Sequence, residues 1–104
     1  MEKAKNQTVL ITGGGTGIGF TLAKRFHKEG ASVVICGRRE EVLNKAAAEI
    51  SATRERIIGV PADIGKEKDI INLFEQTLKW SRRLDILVNN AGAMRKTNLL
   101  RKPL

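Results

Sequence analysis

One run of eight residues constrains this chain more than any other: Thr12-Gly13-Gly14-Gly15-Thr16-Gly17-Ile18-Gly19. Before it, Thr8-Val9-Leu10-Ile11-Thr12 is compact and β-branched, which suits a strand buried on both faces. After it, from Gly17 to about Glu29, Ile18, Leu22 and Phe26 recur at i, i+4 and i+8 with Ala23 beside them. That is one apolar stripe along a helix, and Gly30 supplies its stop. The run therefore reads as a sharp turn between a buried strand and a helix, where glycine permits backbone geometry that a Cβ would obstruct.

The alternation continues. Ser32-Val33-Val34-Ile35-Cys36 reads as a second buried strand, and Glu40 to about Ala52 as a helix with Leu43, Ala46, Ala47 and Ile50 inward. Ile57-Ile58-Gly59-Val60 is a third, shorter strand. Lys66 to about Ser81 is a third helix, expected to carry Ile70, Ile71, Phe74 and Leu78 on its packed side. Leu84 to Val88 is a fourth strand leading into Asn89-Asn90-Ala91-Gly92, and beyond Met94 the sequence turns polar and basic with no clear element. Strands alternating with helices define βαβ units and an α/β parallel sheet. With right-handed crossovers the expected strand order is 3-2-1-4, part of a doubly wound Rossmann-type sheet. Residues 1–104 form one partial domain on this reading, with no linker or internal repeat.

The turn has a chemical use. Glycines let the backbone approach a pyrophosphate, and free N–H groups at the positive end of a helix dipole meet the phosphates. No Gly-Lys-Ser/Thr follows, so this is not a triphosphate P-loop. Composition narrows the remaining classes. The 19 Lys and Arg against 11 Asp and Glu give a net charge of +8, but the four aromatic residues, Phe20, Phe26, Phe74 and Trp80, are not interleaved with basic ones as stacking platforms would be. Nucleic acid is therefore not the expected partner, and Lys and Arg read as solvation of helix faces. No apolar run reaches the length of a membrane span. The opening residues lack the apolar core of a signal peptide, so a cytoplasmic location is expected. Single Cys36 and His27 leave no disulfide and no Cys/His zinc site within the chain.

The glycine spacing, Thr12-Gly13, three residues, then Gly17-Ile18-Gly19, resembles that of the short-chain dehydrogenases/reductases. Asn89-Asn90-Ala91-Gly92 after the fourth strand is similar to a second motif of that family, and Asp63-Ile64 after the third strand to a third. The resemblance implies an oxidoreductase that transfers hydride between a nicotinamide cofactor and a carbonyl or alcohol carbon. It assigns cofactor contacts to Gly13, Gly15, Thr16, Gly17, Ile18, Gly19, Arg38, Arg39, Asp63, Ile64, Asn90, Ala91 and Gly92, with Asp63 against the adenine ring. At the end of the second strand an acidic residue would select NAD and an Arg NADP. Gly37-Arg38-Arg39 stands there, so NADP is expected in preference to NAD.

The family's hydride chemistry uses a Ser, a Tyr-x-x-x-Lys pair and an Asn, all downstream of Asn-Asn-Ala-Gly. This chain contains no Tyr, so no catalytic residue is assigned in it and it reads as the cofactor-binding half of a longer reductase. Where the family carries Gly-Arg before the fourth strand, Ser81-Arg82-Arg83 stands here, removing a helix-stopping glycine. Asn98-Leu99-Leu100-Arg101 resembles a segment of β-ketoacyl-acyl-carrier-protein reductases, and basic Arg95, Lys96, Arg101 and Lys102 would suit an acidic carrier protein. Expected substrates are small-molecule or acyl-thioester carbonyls, and the expected assembly is a homo-oligomer. The alternative is a non-catalytic NADP-binding or regulatory module. The fourth strand is expected to leave Ile86, Leu87 and Val88 on an unpaired edge, a template for association of the isolated chain. The 104-residue chain by itself is expected to show no reductase activity: NADPH oxidation with a ketone substrate should be indistinguishable from buffer.

Overall fold

The computed structural model describes residues 4–90. Within them lie β1 (Thr8–Thr12), α1 (Gly17–Lys28), β2 (Ser32–Gly37), α2 (Glu40–Ile50), β3 (Ile57–Pro61), α3 (Glu67–Ser81) and β4 (Ile86–Asn89). All strand pairs are parallel, in the order β3-β2-β1-β4. The expected α/β Rossmann-type sheet is therefore observed, with its strand order.

Strand alternation builds two apolar layers. Val9 and Ile11 of β1, with Val33 and Ile35 of β2, join Ala23 of α1 and Leu43, Ala46 and Ala47 of α2 on one face. Leu10, Val34, Cys36 and Val60 join Leu73 of α3 on the other. β1 is buried along its whole length, as a central strand covered on both faces must be. Truncating Leu43, whose fully buried side chain meets both the sheet and the loop above it, belongs to the class of core changes that cost about 2–5 kcal/mol.

Two packed faces differ from expectation. Ile18, placed in the buried stripe of α1, is 72% exposed, and the buried residues of that helix are Gly19 and Ala23. The helix sits close to the turn beneath Gly19, while Leu22 and Phe26 of the expected stripe do pack against the same layer, half-buried. Ile71 and Leu78, expected on the packed side of α3, are 51% and 48% exposed, whereas Leu73 and Thr77 are buried. Thr77 Oγ1 donates to Leu73 O at 2.8 Å, which satisfies its hydroxyl inside the layer and makes a polar residue a core position.

The helix ends differ in how the chain turns out of them. Gly30, with φ of 100°, stops α1 as expected, its N–H donating to His27 O at 3.0 Å. Arg56 adds a long-range cap, with Nη1 donating to His27 O at 3.1 Å and Ala31 O at 2.7 Å. α3 ends on Arg82 at φ of 68°, so an arginine adopts the left-handed conformation that a glycine would take more easily, at a cost of roughly 1–2 kcal/mol.

The β1–β4 seam is set at its start by Asp85. Its N–H donates to Thr8 O at 2.9 Å and its Oδ2 accepts the Thr8 N–H at 2.7 Å. Arg83 grips the same carboxylate through Nε at 2.9 Å and Nη2 at 2.7 Å. β4 pairs with β1 alone among the described residues, and Ile86, Leu87 and Val88 are half-buried rather than fully exposed, since they pack against the two layers. The Arg83 hydrogen bonds, helped by the Thr8 N–H, hold the Asp85 carboxyl below its ordinary pKa. A carboxyl depressed in the folded state contributes stability above its unfolded pKa and loses it as pH falls through the folded value. Asp85→Asn should therefore lower the urea midpoint at neutral pH and flatten its fall across roughly pH 5 to 2, measured by urea unfolding at a series of pH values.

Candidate functional site

Because every strand runs the same way, the carboxyl ends of all four open on one edge of the sheet. The register places Thr12 opposite Cys36 and Asn89, and Gly37 opposite Pro61. The glycine turn after β1, Gly37-Arg38-Arg39 after β2, Asp63 after β3 and Asn89-Asn90 at β4 thus come together along that edge. β1 stands where connections diverge to either side, the crevice at which open α/β sheets bind ligands.

The glycine turn is tied down from below and open above. Cys36 O accepts the N–H groups of Gly13 at 2.9 Å and Gly14 at 3.3 Å, anchoring the turn to the end of β2. A Cβ on Gly14 would lie 2.5 Å from Ile35 Cγ2, so this buried glycine is needed for packing. It was not among the residues singled out from sequence, although its place in the glycine run was the available signal. Gly17, at φ of 59°, has nothing within 4 Å of where a Cβ would stand. That open space lies at the first residue of α1, whose N-terminus has no side-chain cap and no acidic residue in its first turn. Such an end can receive an anion. Thr16 and Ile18 flank it and are exposed.

Gly19 packs closely against the turn that follows β1. A Cβ there would collide with the carbonyl oxygen of Gly13 and stand 2.6 Å from Asn90 Nδ2. Asn90 is itself a latch between β4 and the turn: its N–H donates to Thr12 Oγ1 at 2.9 Å and its Nδ2 to Gly13 O at 3.4 Å. The Thr12 hydroxyl has Asn89 Oδ1 at 3.3 Å and Val88 O at 3.4 Å as acceptors for its single hydrogen.

Arg38 and Arg39 are exposed at the entrance to α2, with Glu40 and Glu41 in the first turn of that helix, where the dipole favours acids. Leu43 Cδ2 would lie 3.5 Å from a Cβ on either Gly15 or Gly37, so one side chain underlies both the glycine turn and the start of the arginine pair. Asp63 is half-buried, with Oδ1 accepting the Gly65 N–H at 2.9 Å, and Ile64 packs partly against the α3 layer. Burial pushes the Cys36 thiol up to about 11, so it is neutral and unreactive at physiological pH. No metal-ligating cluster exists among the described residues. Ala91, Gly92, Arg95, Lys96, Asn98 to Leu100, Arg101 and Lys102 lie outside the described residues.

A Rossmann-type sheet with a glycine turn at its switch point defines the class, and the comparisons define the family. The family model for short chain dehydrogenase matches residues 7–102, and the chain belongs to that family. It is 42% identical over 91 residues to a peroxisomal 2,4-dienoyl-CoA reductase of Arabidopsis thaliana, covering 88% of this chain and 30% of that one. A short chain dehydrogenase from Bacillus anthracis superposes with a TM-score of 0.81 at 44% identity, over 85% of this chain and 35% of its own. A 3-ketoacyl-(acyl-carrier-protein) reductase from Brucella melitensis, solved in complex with NADH, superposes with a TM-score of 0.77 at 39% identity, over 82% and 34%. The chain spans about a third of the length of the curated relatives it matches, 30% of the plant reductase.

Gly19→Ala should expose the tightness of this edge. With a backbone carbonyl and Asn90 in the way, it is expected to destabilise by about 1–3 kcal/mol, read as a lowered denaturation midpoint.

Proposed function

We propose that this chain is the dinucleotide-binding part of an NADP(H)-dependent oxidoreductase that transfers hydride between the nicotinamide and a carbonyl or alcohol carbon. One observation carries the reading: an uncapped α1 N-terminus with open space at Gly17 shares a sheet edge with an arginine pair that no β2-terminal carboxylate accompanies. Gly13, Gly15, Thr16, Gly17, Ile18 and Gly19 would receive the pyrophosphate, Arg38 and Arg39 the 2′-phosphate, and Asp63 with Ile64 the adenine. Asn90, Ala91 and Gly92 would close the β4 side. NADPH, when bound, supplies the hydride. This chain's residues bind and orient it, and none of them is assigned a proton-transfer role, since the chain has no Tyr.

A guanidinium can hold a phosphate bidentately, which favours NADP over NAD, although the Brucella relative was solved with NADH. The substrate class is a small-molecule or acyl-thioester carbonyl compound. Support for the thioester comes from the plant and Brucella proteins, both named for acyl groups on CoA or on acyl carrier protein. An acidic carrier protein as partner, a homo-oligomeric assembly and a cytoplasmic location complete the reading, and residues 1–104 form its single cofactor-binding domain.

Titrating the intact protein with NADPH and NADH tests the cofactor choice. Arg38→Asp should weaken NADPH binding at least about tenfold, as loss of a charge-assisted phosphate contact requires, with NADH binding little changed. Equal affinity of the unaltered protein for both nucleotides would overturn the NADP reading.

A further inference from the structure

We propose that Asp69 is a positioning residue for the purine end of the nucleotide: it fixes the β3–α3 loop so that one oxygen of the Asp63 carboxylate is left for the adenine amino group. This rests on the nucleotide-binding reading above and adds to it a residue that neither the glycine turn nor the arginine pair involves.

The loop is held at successive points. Ala62 N–H donates to Gly37 O at 2.7 Å, pinning the loop's start to the end of β2 beside Arg38. The next N–H, that of Asp63, donates to Asp69 Oδ2 at 2.8 Å. Asp63 then closes a tight turn on itself, its Oδ1 accepting the Gly65 N–H at 2.9 Å and its carbonyl the Lys66 N–H at 2.9 Å. Asp63 Oδ2 receives no hydrogen bond among the described residues. One carboxylate oxygen is therefore engaged by the loop, and the other is left with its acceptor capacity unused among the described residues.

Asp69 does this from inside a helix. The N-cap of α3 is Lys66, whose side chain makes no cap bond, so the residue that would ordinarily secure the entry does not. Asp69, in the first turn and half-buried, reaches back across the cap to Asp63. The acid also suits the helix dipole there, so a purely helix-stabilising role is the competing account. The two differ in what they protect. A helix-stabilising acid affects every ligand alike, whereas a group that orients Asp63 affects recognition of one atom of one ring. A carboxylate accepts but cannot donate, so it selects the 6-amino group of adenine and disfavours the 6-oxo group of hypoxanthine.

Fluorescence titration of the intact protein with NADPH and with its hypoxanthine analogue tests this directly. The unaltered protein should prefer adenine by roughly tenfold or more, as expected for a hydrogen bond to a charged acceptor. Asp69→Ala should reduce that preference to within about threefold while the NADPH-to-NADH ratio stays as it was. Asp69→Asn, which keeps an acceptor oxygen, should preserve the preference. Asp69→Glu keeps the charge but moves the oxygen by one methylene; it should lose the preference and serves should the Ala variant fail to fold. Hydrogen exchange of the Asp63 amide without nucleotide should quicken in Asp69→Ala and Asp69→Glu but not in Asp69→Asn. Retention of the adenine preference in both the Ala and Glu variants would overturn the proposal, as would an equal loss of both nucleotide ratios. No adenine preference in the unaltered protein would overturn it too, while leaving the nucleotide reading standing. Only a failure of the unaltered protein to bind any dinucleotide would overturn that reading itself.

Discussion

Everything in this molecule hangs on β1. It is buried on both faces and paired on both edges, with β2 on one side and β4 on the other. Val9, Leu10 and Ile11 are fully removed from solvent, and burial of such side chains stabilises by about 1.5–3 kcal/mol each. Polar side chains clamp the β1–β4 seam at each end: Asp85 to Thr8 at the start, and Asn90 to Thr12 and Gly13 at the finish. A one-residue slip would break both clamps and turn the aliphatic residues of β4 to the wrong layers. With register held at both ends, the loops that follow the strands have no freedom to be elsewhere than along one edge.

The core and the edge obey opposite rules. Among the described residues no buried side-chain nitrogen or oxygen lacks a partner, so the interior is fully satisfied. At the edge, the α1 N-terminus is uncapped, Gly17 faces open space and the arginine pair is exposed. Cys36 shows how sharply the boundary runs. Its carbonyl holds the turn in place, while its thiol, one residue from the open loop, is kept neutral by burial. The scaffold thus spends its own hydrogen bonds below the turn and leaves the α1 N-terminus above it without a side-chain cap.

The sheet and its order were legible in the sequence because each rests on local signals that agree: β-branched runs, a glycine turn and helix stops. Helix faces were less legible. Ile18 looked like the start of a stripe because it shares spacing with Leu22 and Phe26, yet the contact line of α1 is set by how closely the helix approaches its neighbours, and Gly19 and Ala23 win it. Thr77 was invisible as a core residue because its burial depends on back-bonding to Leu73, which composition does not signal. Likewise the motifs marked Gly19 and Asn90 without revealing that Asn90 leaves no room for a Cβ on Gly19, since the two stand 71 residues apart in the chain. Asp69 carried no motif at all, and only its hydrogen bond with the Asp63 N–H ties it to the β3–α3 loop.

The two faces of the sheet are not equally covered by the described elements. α1 and α2 lie on the face of Val9, Ile11, Val33 and Ile35, whereas among the described elements α3 alone covers the face of Leu10, Val34 and Cys36. One helix, roughly 10 Å across, cannot span four strands spaced about 4.8 Å apart. Ile58 on β3, Leu87 on β4 and Leu84 just before β4 accordingly reach only partial burial, together with Phe74 of α3 itself. Ile71 and Leu78, seven residues apart and hence on one side of α3, face away from the residues it buries. On the other layer Leu43 lies beneath both Gly15 and Gly37, while Ile86 and Val88 at the β4 edge are only half-buried there too. One buried leucine therefore underlies both the glycine turn and the arginine pair, the two groups whose spacing a dinucleotide would have to match.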